Sequence, residues 1–216
     1  MQRFGNVAVH TGDVLLKVST GNVTHKIIQI GQKTGASSGG FSNIVHAAIY
    51  VGSVAGHSKA IAESVGSGLR FLEPNPNSHY SWHVWHLGGN QALRHLAADL
   101  AANLVEKAQT DNGFGSYSQG GATISAYKSG NVTKNPVSGT LAEDMMNDFT
   151  SPNGTNRSFF CSNFVVLAYS MAAQMLGLPV TSGINLNYKY TSPAEMQKYF
   201  SRNHSWLNAG VINGAY

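Results

Sequence analysis

The run from Phe159 to Leu176 constrains the fold most, because it predicts a helix that must be buried. Apolar residues recur with a helical period at positions 164, 167, 168, 171, 172 and 175, and Gly177 with Pro179 supplies a stop signal. The chain's single cysteine, Cys161, stands at the start of this run. A thiol in the first turn of a buried helix lies at the positive end of the helix dipole, which favours the thiolate. The run is therefore consistent with either a reactive cysteine or a small apolar residue that fills the core.

Two strand-like runs carry the residues that favour the reactive cysteine. His46 lies in an apolar run that ends at Gly52, and Glu63 lies in a second run that breaks at glycines. The Gly- and Ser-rich segment 52–59 predicts a hairpin loop between them, so antiparallel pairing would bring His46 and Glu63 together. A thiolate, a histidine base and a carboxylate that orients the histidine form the minimum set for covalent cysteine catalysis.

Five short segments resemble, in order, the motifs of one family. They are an opening strand at 12–16, a histidine strand at 42–52, an acidic strand and glycine at 61–69, the cysteine motif at 160–165 and a late Ser/Thr-Pro helix start at 191–195. The order resembles the papain-like NlpC/P60 superfamily in its circularly permuted branch, the YaeF/YiiX and lecithin:retinol acyltransferase-like group. In that branch the histidine strand precedes the cysteine helix.

The resemblance implies both a fold and three site residues. It implies Cys161 as nucleophile, His46 as base and Glu63 as the third polar residue, at a position that varies in chemical type across the family. The expected fold is α+β: one papain-like domain over residues 1–216, with an antiparallel sheet packed against the Cys161 helix and a helix at 91–109 as a second layer. The segment 120–157 resembles no motif of the family.

The function implied is that of a cysteine hydrolase that cleaves an amide bond. The leading substrate is a peptide crosslink or stem peptide of bacterial peptidoglycan. Three alternatives stay open: an acyltransferase or thioesterase, a protein deamidase that uses the same cysteine and histidine, and a non-catalytic binding domain.

Composition narrows the partners and the compartment. Charged residues are 11% of the chain, against a typical share of roughly 25%, and such low charge density is more typical of exported proteins. The net charge is +4 and the isoelectric point about 9.2, which favours an anionic partner such as cell wall. No basic stripe or nucleic-acid-binding motif stands out, so nucleic acid is not expected as a partner.

The sequence also bears on delivery. A single cysteine excludes an intramolecular disulfide, and neither a signal peptide nor an apolar stretch of about 20 residues that would span a membrane is recognisable. We therefore expect a protein that is cytoplasmic before export and secreted without a cleavable signal peptide by a dedicated machine. An antibacterial effector of this kind would have an immunity protein as a partner.

No cofactor or metal is expected. The glycine-rich segment 35–40 lacks the Lys-Ser/Thr ending of a phosphate-binding loop. His79 and His83 would lie about 13 Å apart on a strand, at roughly 3.3 Å per residue, and His86 would point to the opposite face. Asp13 is predicted to be a structural turn residue.

Periodicity and stop signals predict the elements around these residues. Strands are expected at 13–18, 45–51, 60–65 and 81–87, and helices at 23–34, 91–109, 141–149 and from Pro193 to about Arg202. The rest of the segment 120–157 is expected to be rich in turns.

Overall fold

The computed structural model describes residues 1–19, 41–73, 80–128 and 157–213, together with Asp144 and Asn147. These residues form a mixed α+β fold with one six-stranded antiparallel sheet and four helices. The α+β class expected from the sequence is confirmed at this level.

Ten strands are described, and six of them make the main sheet. In chain order they are β1 (Gln2–Phe4), β2 (Val7–Val9), β3 (Val14–Val18), β4 (Ile44–Val54), β5 (His57–Val65), β6 (Gly68–Leu72), β7 (Ser81–Leu87), β8 (Asn112–Tyr117), β9 (Ser158–Phe159) and β10 (Trp206–Asn213). The main sheet has the order β10-β7-β3-β4-β5-β6. β1 pairs with β2 as a small hairpin, and β8 pairs with β9 in parallel.

The four described helices are α1 (Gln91–Thr110), α2 (Gln119–Lys128), α3 (Cys161–Met175) and α4 (Pro193–Arg202). α1 begins where the Asn90 side chain accepts the Leu93 N–H. α4 begins where Ser192 Oγ accepts the Glu195 N–H, with Pro193 at the first helical position. None of the helices in the described part of the chain is long and apolar enough to cross a membrane.

The two faces of the main sheet are covered differently. One face packs against α1 and α3 and forms the larger core, in which every residue of α3 from Cys161 to Ala173 is buried. The other face packs against the β1–β2 hairpin around a smaller cluster that includes Leu15, Ala48 and Trp82. Burial of α3 on all sides agrees with the composition of its run and places Cys161 inside the molecule.

The structure bears out several expected elements and corrects others. The predicted strands 13–18, 45–51, 60–65 and 81–87 and the helices at 91–109 and from Pro193 all occur, with ends shifted by up to three residues. The first part of the segment 120–157 is not turn-rich as expected, because α2 occupies it. The predicted helix 23–34 lies outside the described residues, as does 141–149 apart from Asp144 and Asn147, which are helical.

Candidate active site

Cys161 is held at the entrance of α3 by contacts from three directions. The Phe160 N–H donates to Asn163 Oδ1 at 2.9 Å and so caps the first turn. Ser64 Oγ of β5 donates to the Phe159 carbonyl at 3.1 Å, and Ser162 Oγ donates to the Thr191 carbonyl at 2.6 Å. The helix start is therefore tied both to the sheet and to the segment that leads into α4.

His46 and Glu63 meet on the sheet face that lies away from the larger core. Glu63 is the register partner of Ala48, which lies two residues after His46 on β4 and hence on the same face. His46 Nε2 and Glu63 Oε2 are 2.8 Å apart, and the Glu63 side chain is 0% exposed. The His46 ring also packs edge-on against Trp82, with centroids 5.9 Å apart. These contacts fix the plane of the ring.

The other side of the His46 ring faces the thiol. A hydrogen bond links the side chains of His46 and Cys161. Because His46 Nε2 lies beside Glu63 Oε2, we assign the bond with the thiol to the other ring nitrogen, Nδ1. The structure thus brings together the three residues that the sequence singled out, in the order Cys161, His46, Glu63.

We refer to Cys161, His46 and Glu63 as the proposed catalytic row. Its electrostatics favour an ion pair between Cys161 and His46. Burial opposes charge on His46, but the Cys161 thiolate and the Glu63 carboxylate outweigh it and raise the pKa of His46 to about 9. Burial likewise opposes the thiolate, yet His46 and the backbone N–H groups of Ala47 and Ser162 hold the pKa of Cys161 below its ordinary value. A thiolate beside an imidazolium is the form of cysteine that attacks carbonyl carbon.

Three further side chains surround the row and had no signal in the sequence that singled them out. Arg70 of β6 lies 2.7 Å (Nη2) and 2.8 Å (Nε) from Glu63 Oε1. Lys17 of β3 interacts electrostatically with Glu63, and its Nζ lies 3.5 Å from the centre of the Tyr80 ring. Burial lowers the pKa of Lys17 to about 8.

Tyr117 is the third of these side chains. Its strand register pairs it with Phe159, two residues before Cys161. Burial, and then the negative charge of Cys161, raise the pKa of the Tyr117 hydroxyl. The hydroxyl therefore stays protonated beside the sulfur and can act as a hydrogen-bond donor.

A second polar cluster lies at the other end of the same strands and includes His10, Asp13, His86 and Arg94. Asp13 is 0% exposed; its Oδ2 accepts the His10 N–H at 2.8 Å and its Oδ1 lies 2.8 Å from His86 Nδ1. Side-chain atoms of His10, Asp13 and His86 lie within 4.8 Å of one another, a spacing that would suit a metal. However, Arg94 Nη1 contacts His86 Nε2, so both ring nitrogens of His86 are engaged and a metal would meet the guanidinium cation.

The second cluster is better explained as a structural network. Arg94 Nη1 also donates to the Leu87 carbonyl at 3.0 Å, which ties the first turns of α1 to the end of β7. Asp13 follows Gly12, whose carbonyl accepts the Tyr169 hydroxyl of α3. This arrangement agrees with the structural turn role expected for Asp13. Of the three histidines considered for a metal, His79 lies outside the described residues, and His83 and His86 stand three positions apart on β7 and so face opposite ways.

No protein-family model matches this sequence, and neither the curated proteins nor the solved structures searched give a match.

Proposed function

We propose that this chain is a cysteine hydrolase of the papain-like, permuted NlpC/P60 type that cleaves an amide bond through a thioester. The observation that carries the proposal is the position of His46, whose ring bonds the Cys161 thiol on one side and the buried Glu63 carboxylate on the other. Glu63 orients the ring and favours its protonated form, and the ring in turn favours the thiolate.

The chemistry follows from the thiolate–imidazolium pair. The Cys161 sulfur attacks the amide carbon, and the carbonyl π electrons move onto oxygen. The imidazolium then gives the Nδ1 proton to the amide nitrogen, the C–N bond breaks, and the amine leaves a thioester on Cys161. Neutral His46 next takes a proton from water as its oxygen attacks the thioester, and the C–S bond breaks to return the thiolate and a carboxylic acid.

The oxyanion needs donors at the start of α3. The first backbone N–H groups of a helix have no partner within the helix and point towards its entrance, so the Cys161 N–H is one candidate. The Tyr117 hydroxyl, which stays protonated beside the sulfur, is a second. Removal of one such donor costs about 100- to 1000-fold in turnover in other acyl-transfer enzymes, so Tyr117→Phe tests its share.

The substrate we propose is a stem peptide or peptide crosslink of peptidoglycan. The family resemblance supports this choice, and the net charge of +4 suits an anionic wall polymer. Under this proposal the protein acts outside the cytoplasm of a bacterium after export by a dedicated machine, and an immunity protein protects the producing cell.

The direct test is incubation of the purified chain with peptidoglycan, followed by mass analysis of the released fragments. New amine and carboxyl ends at one peptide bond are expected from the wild type. Cys161→Ala and His46→Ala should release none, and the double variant should be no worse than either single, since the residues act as a unit. Peptidoglycan that stays uncleaved after incubation with the wild type would overturn the proposal that the cell wall is the substrate.

Expression in a bacterium separates the wall substrate from a cytosolic one. A fusion to a periplasmic export signal should lyse cells, whereas the chain kept in the cytoplasm should be tolerated, and Cys161→Ala in the fusion should abolish lysis. A chain that harms cells only from the cytosol would instead indicate a deamidase or another transferase that uses the same cysteine.

A further inference from the structure

Arg70 occupies a defined place beside the proposed catalytic row. The antiparallel pairing of β5 with β6 makes Arg70 the direct register partner of Glu63, so both side chains lie on the same face of the sheet. Two nitrogens of the guanidinium, Nε and Nη2, lie 2.8 Å and 2.7 Å from Glu63 Oε1. The other carboxylate oxygen, Oε2, lies 2.8 Å from His46 Nε2.

The two oxygens of the Glu63 carboxylate thus have different partners, Arg70 and His46. Glu63 is 0% exposed, and a buried carboxylate is costly unless cations and donors compensate it. Arg70 engages one oxygen through a planar fork, which restricts rotation of the carboxylate and leaves the second oxygen directed at the imidazole. The Arg70 side chain is 45% exposed, so its own charge keeps contact with water while it compensates Glu63.

The groups that face this carboxylate come from several elements. β4 contributes His46, β3 contributes Lys17 and β6 contributes Arg70, while Cys161 of α3 and Tyr117 of β8 lie beyond the imidazole. The Lys17 ammonium lies over the Tyr80 ring and interacts electrostatically with Glu63. The fork of Arg70, in contrast, fixes the orientation of one carboxylate oxygen.

We propose that Arg70 is a positioning residue that keeps Glu63 ionised and aimed at His46, and so sets the pH at which Cys161 becomes a thiolate. The proposal rests on the proposed cysteine chemistry and extends it to a residue that contacts the Glu63 carboxylate. Without Arg70, burial favours neutral Glu63, which supports the imidazolium less, so a higher pH is needed to form the thiolate.

The single cysteine makes this measurable without a substrate. Iodoacetamide reports on Cys161 alone, so the pH midpoint of its alkylation measures thiolate formation. We expect Arg70→Met to move the midpoint upward by about one pH unit and Arg70→Lys, which keeps the cation but not the fork, to restore part of the shift. The control Arg202→Met removes an exposed arginine from the end of α4 and should match the wild type.

A double variant guards against loss of folding in Arg70→Met. Glu63→Gln with Arg70→Met removes both charges and leaves no uncompensated carboxylate in the interior. If Arg70 acts through Glu63, the double variant should have the same midpoint as Glu63→Gln alone. A midpoint displaced further in the double variant would show that Arg70 acts by another route and would overturn the proposal.

The outcomes for Arg70 and for the proposed function are distinct. A wild-type midpoint well below that of a free thiol, with the same midpoint in folded Arg70→Met, overturns only the role of Arg70. A wild-type midpoint near that of a free thiol overturns the ion pair itself and the Arg70 proposal with it. A lowered wild-type midpoint that rises in Arg70→Met supports the Arg70 proposal even if peptidoglycan is not cleaved.

Discussion

The two ends of one sheet face carry nearly the same polar side chains: a carboxylate, a histidine and an arginine. The pKa of the histidine, however, is raised at one end and lowered at the other. At each end a carboxylate that is 0% exposed lies 2.8 Å from a histidine nitrogen, and an arginine is within hydrogen-bond distance of one of the two. At the first end Arg70 contacts the carboxylate, and the far side of His46 faces a thiol. At the second end Arg94 contacts the ring of His86 itself.

The placement of the arginine and the thiol accounts for the difference. The pKa of His46 is raised to about 9 because a thiolate and a carboxylate together outweigh the effect of burial. The pKa of His86 is lowered, first by burial and then by the positive charge of Arg94. A carboxylate–histidine pair alone is therefore not a catalytic signature. The group that faces the other side of the imidazole ring decides whether the ring is protonated near neutral pH.

The largest expected difference between the two ends is in the effect of removing the histidine. His46→Ala should lower the rate of Cys161 alkylation at pH 6 by about 10- to 100-fold, because a free thiol is mostly protonated there. His86→Ala should leave that rate within about twofold of the wild type. Rates of iodoacetamide labelling, measured by mass spectrometry, would contradict the comparison if both variants behaved alike.

The two carboxylates offer the next contrast. Glu63→Gln keeps the size of the side chain but removes the charge that orients His46, so turnover should fall by about 10- to 100-fold with the alkaline limb of the pH profile moved to lower pH. Asp13→Asn should leave turnover per folded molecule nearly unchanged. Equal activity in Glu63→Gln and the wild type would mean that another residue orients His46.

A third test concerns the pH dependence of stability at the second end. Burial raises the pKa of Asp13 to about 6. The hydrogen bond from the His10 N–H and the charges of His10 and Arg94 lower this pKa, but their effect is smaller than that of burial. The folded state thus binds a proton that the unfolded state has lost, so this contribution to the free energy of unfolding falls as pH rises from about 4 to about 6. The Asp13→Asn variant lacks this pH-dependent contribution, because its side chain does not titrate.

Urea titrations at several pH values would measure this difference. The stability of the wild type relative to Asp13→Asn should decrease by about 1–3 kcal/mol across that window. A constant difference between the two proteins would show that Asp13 is not held in a desolvated site.

The smallest expected effect belongs to Lys17 at the first end. Its folded pKa of about 8 lies below the ordinary value of 10.5, so below pH 8 the folded state bears the cost of a buried charge. Stability relative to Lys17→Met should therefore rise between about pH 8 and pH 10, by about 1 kcal/mol. Thermal unfolding of both proteins across this range would check the sign, and a fall would contradict it.

The sequence predicted the parts of the first end that follow a local rule. Helical periodicity located α3 and α1, the Ser/Thr-Pro helix start at 191–195 located α4, and strand runs separated by a short Gly- and Ser-rich loop placed Glu63 near His46. Each of these signals depends only on residues close together in the chain.

The remaining parts could not be predicted because they depend on register and on contacts distant in sequence. Gly66 and Gly68 marked the end of a strand in the sequence, whereas Gly66 lies in the turn of a hairpin and Gly68 begins the second strand, which carries Arg70. Asp13 and His86 are 73 positions apart and meet only because β3 and β7 are neighbours in the sheet. β10 has no clear apolar alternation and is defined by its pairing with β7.

The most direct measurement is the pH profile of Cys161 alkylation in the folded wild-type chain, with the same chain in denaturing urea as its internal reference. Because the chain has one cysteine, the two profiles differ only through the environment of that thiol. The ion pair of Cys161 with His46 predicts a folded midpoint well below the urea midpoint of about 8.5. A folded midpoint at or above the urea value would identify Cys161 as a buried structural cysteine and contradict the proposed catalytic row.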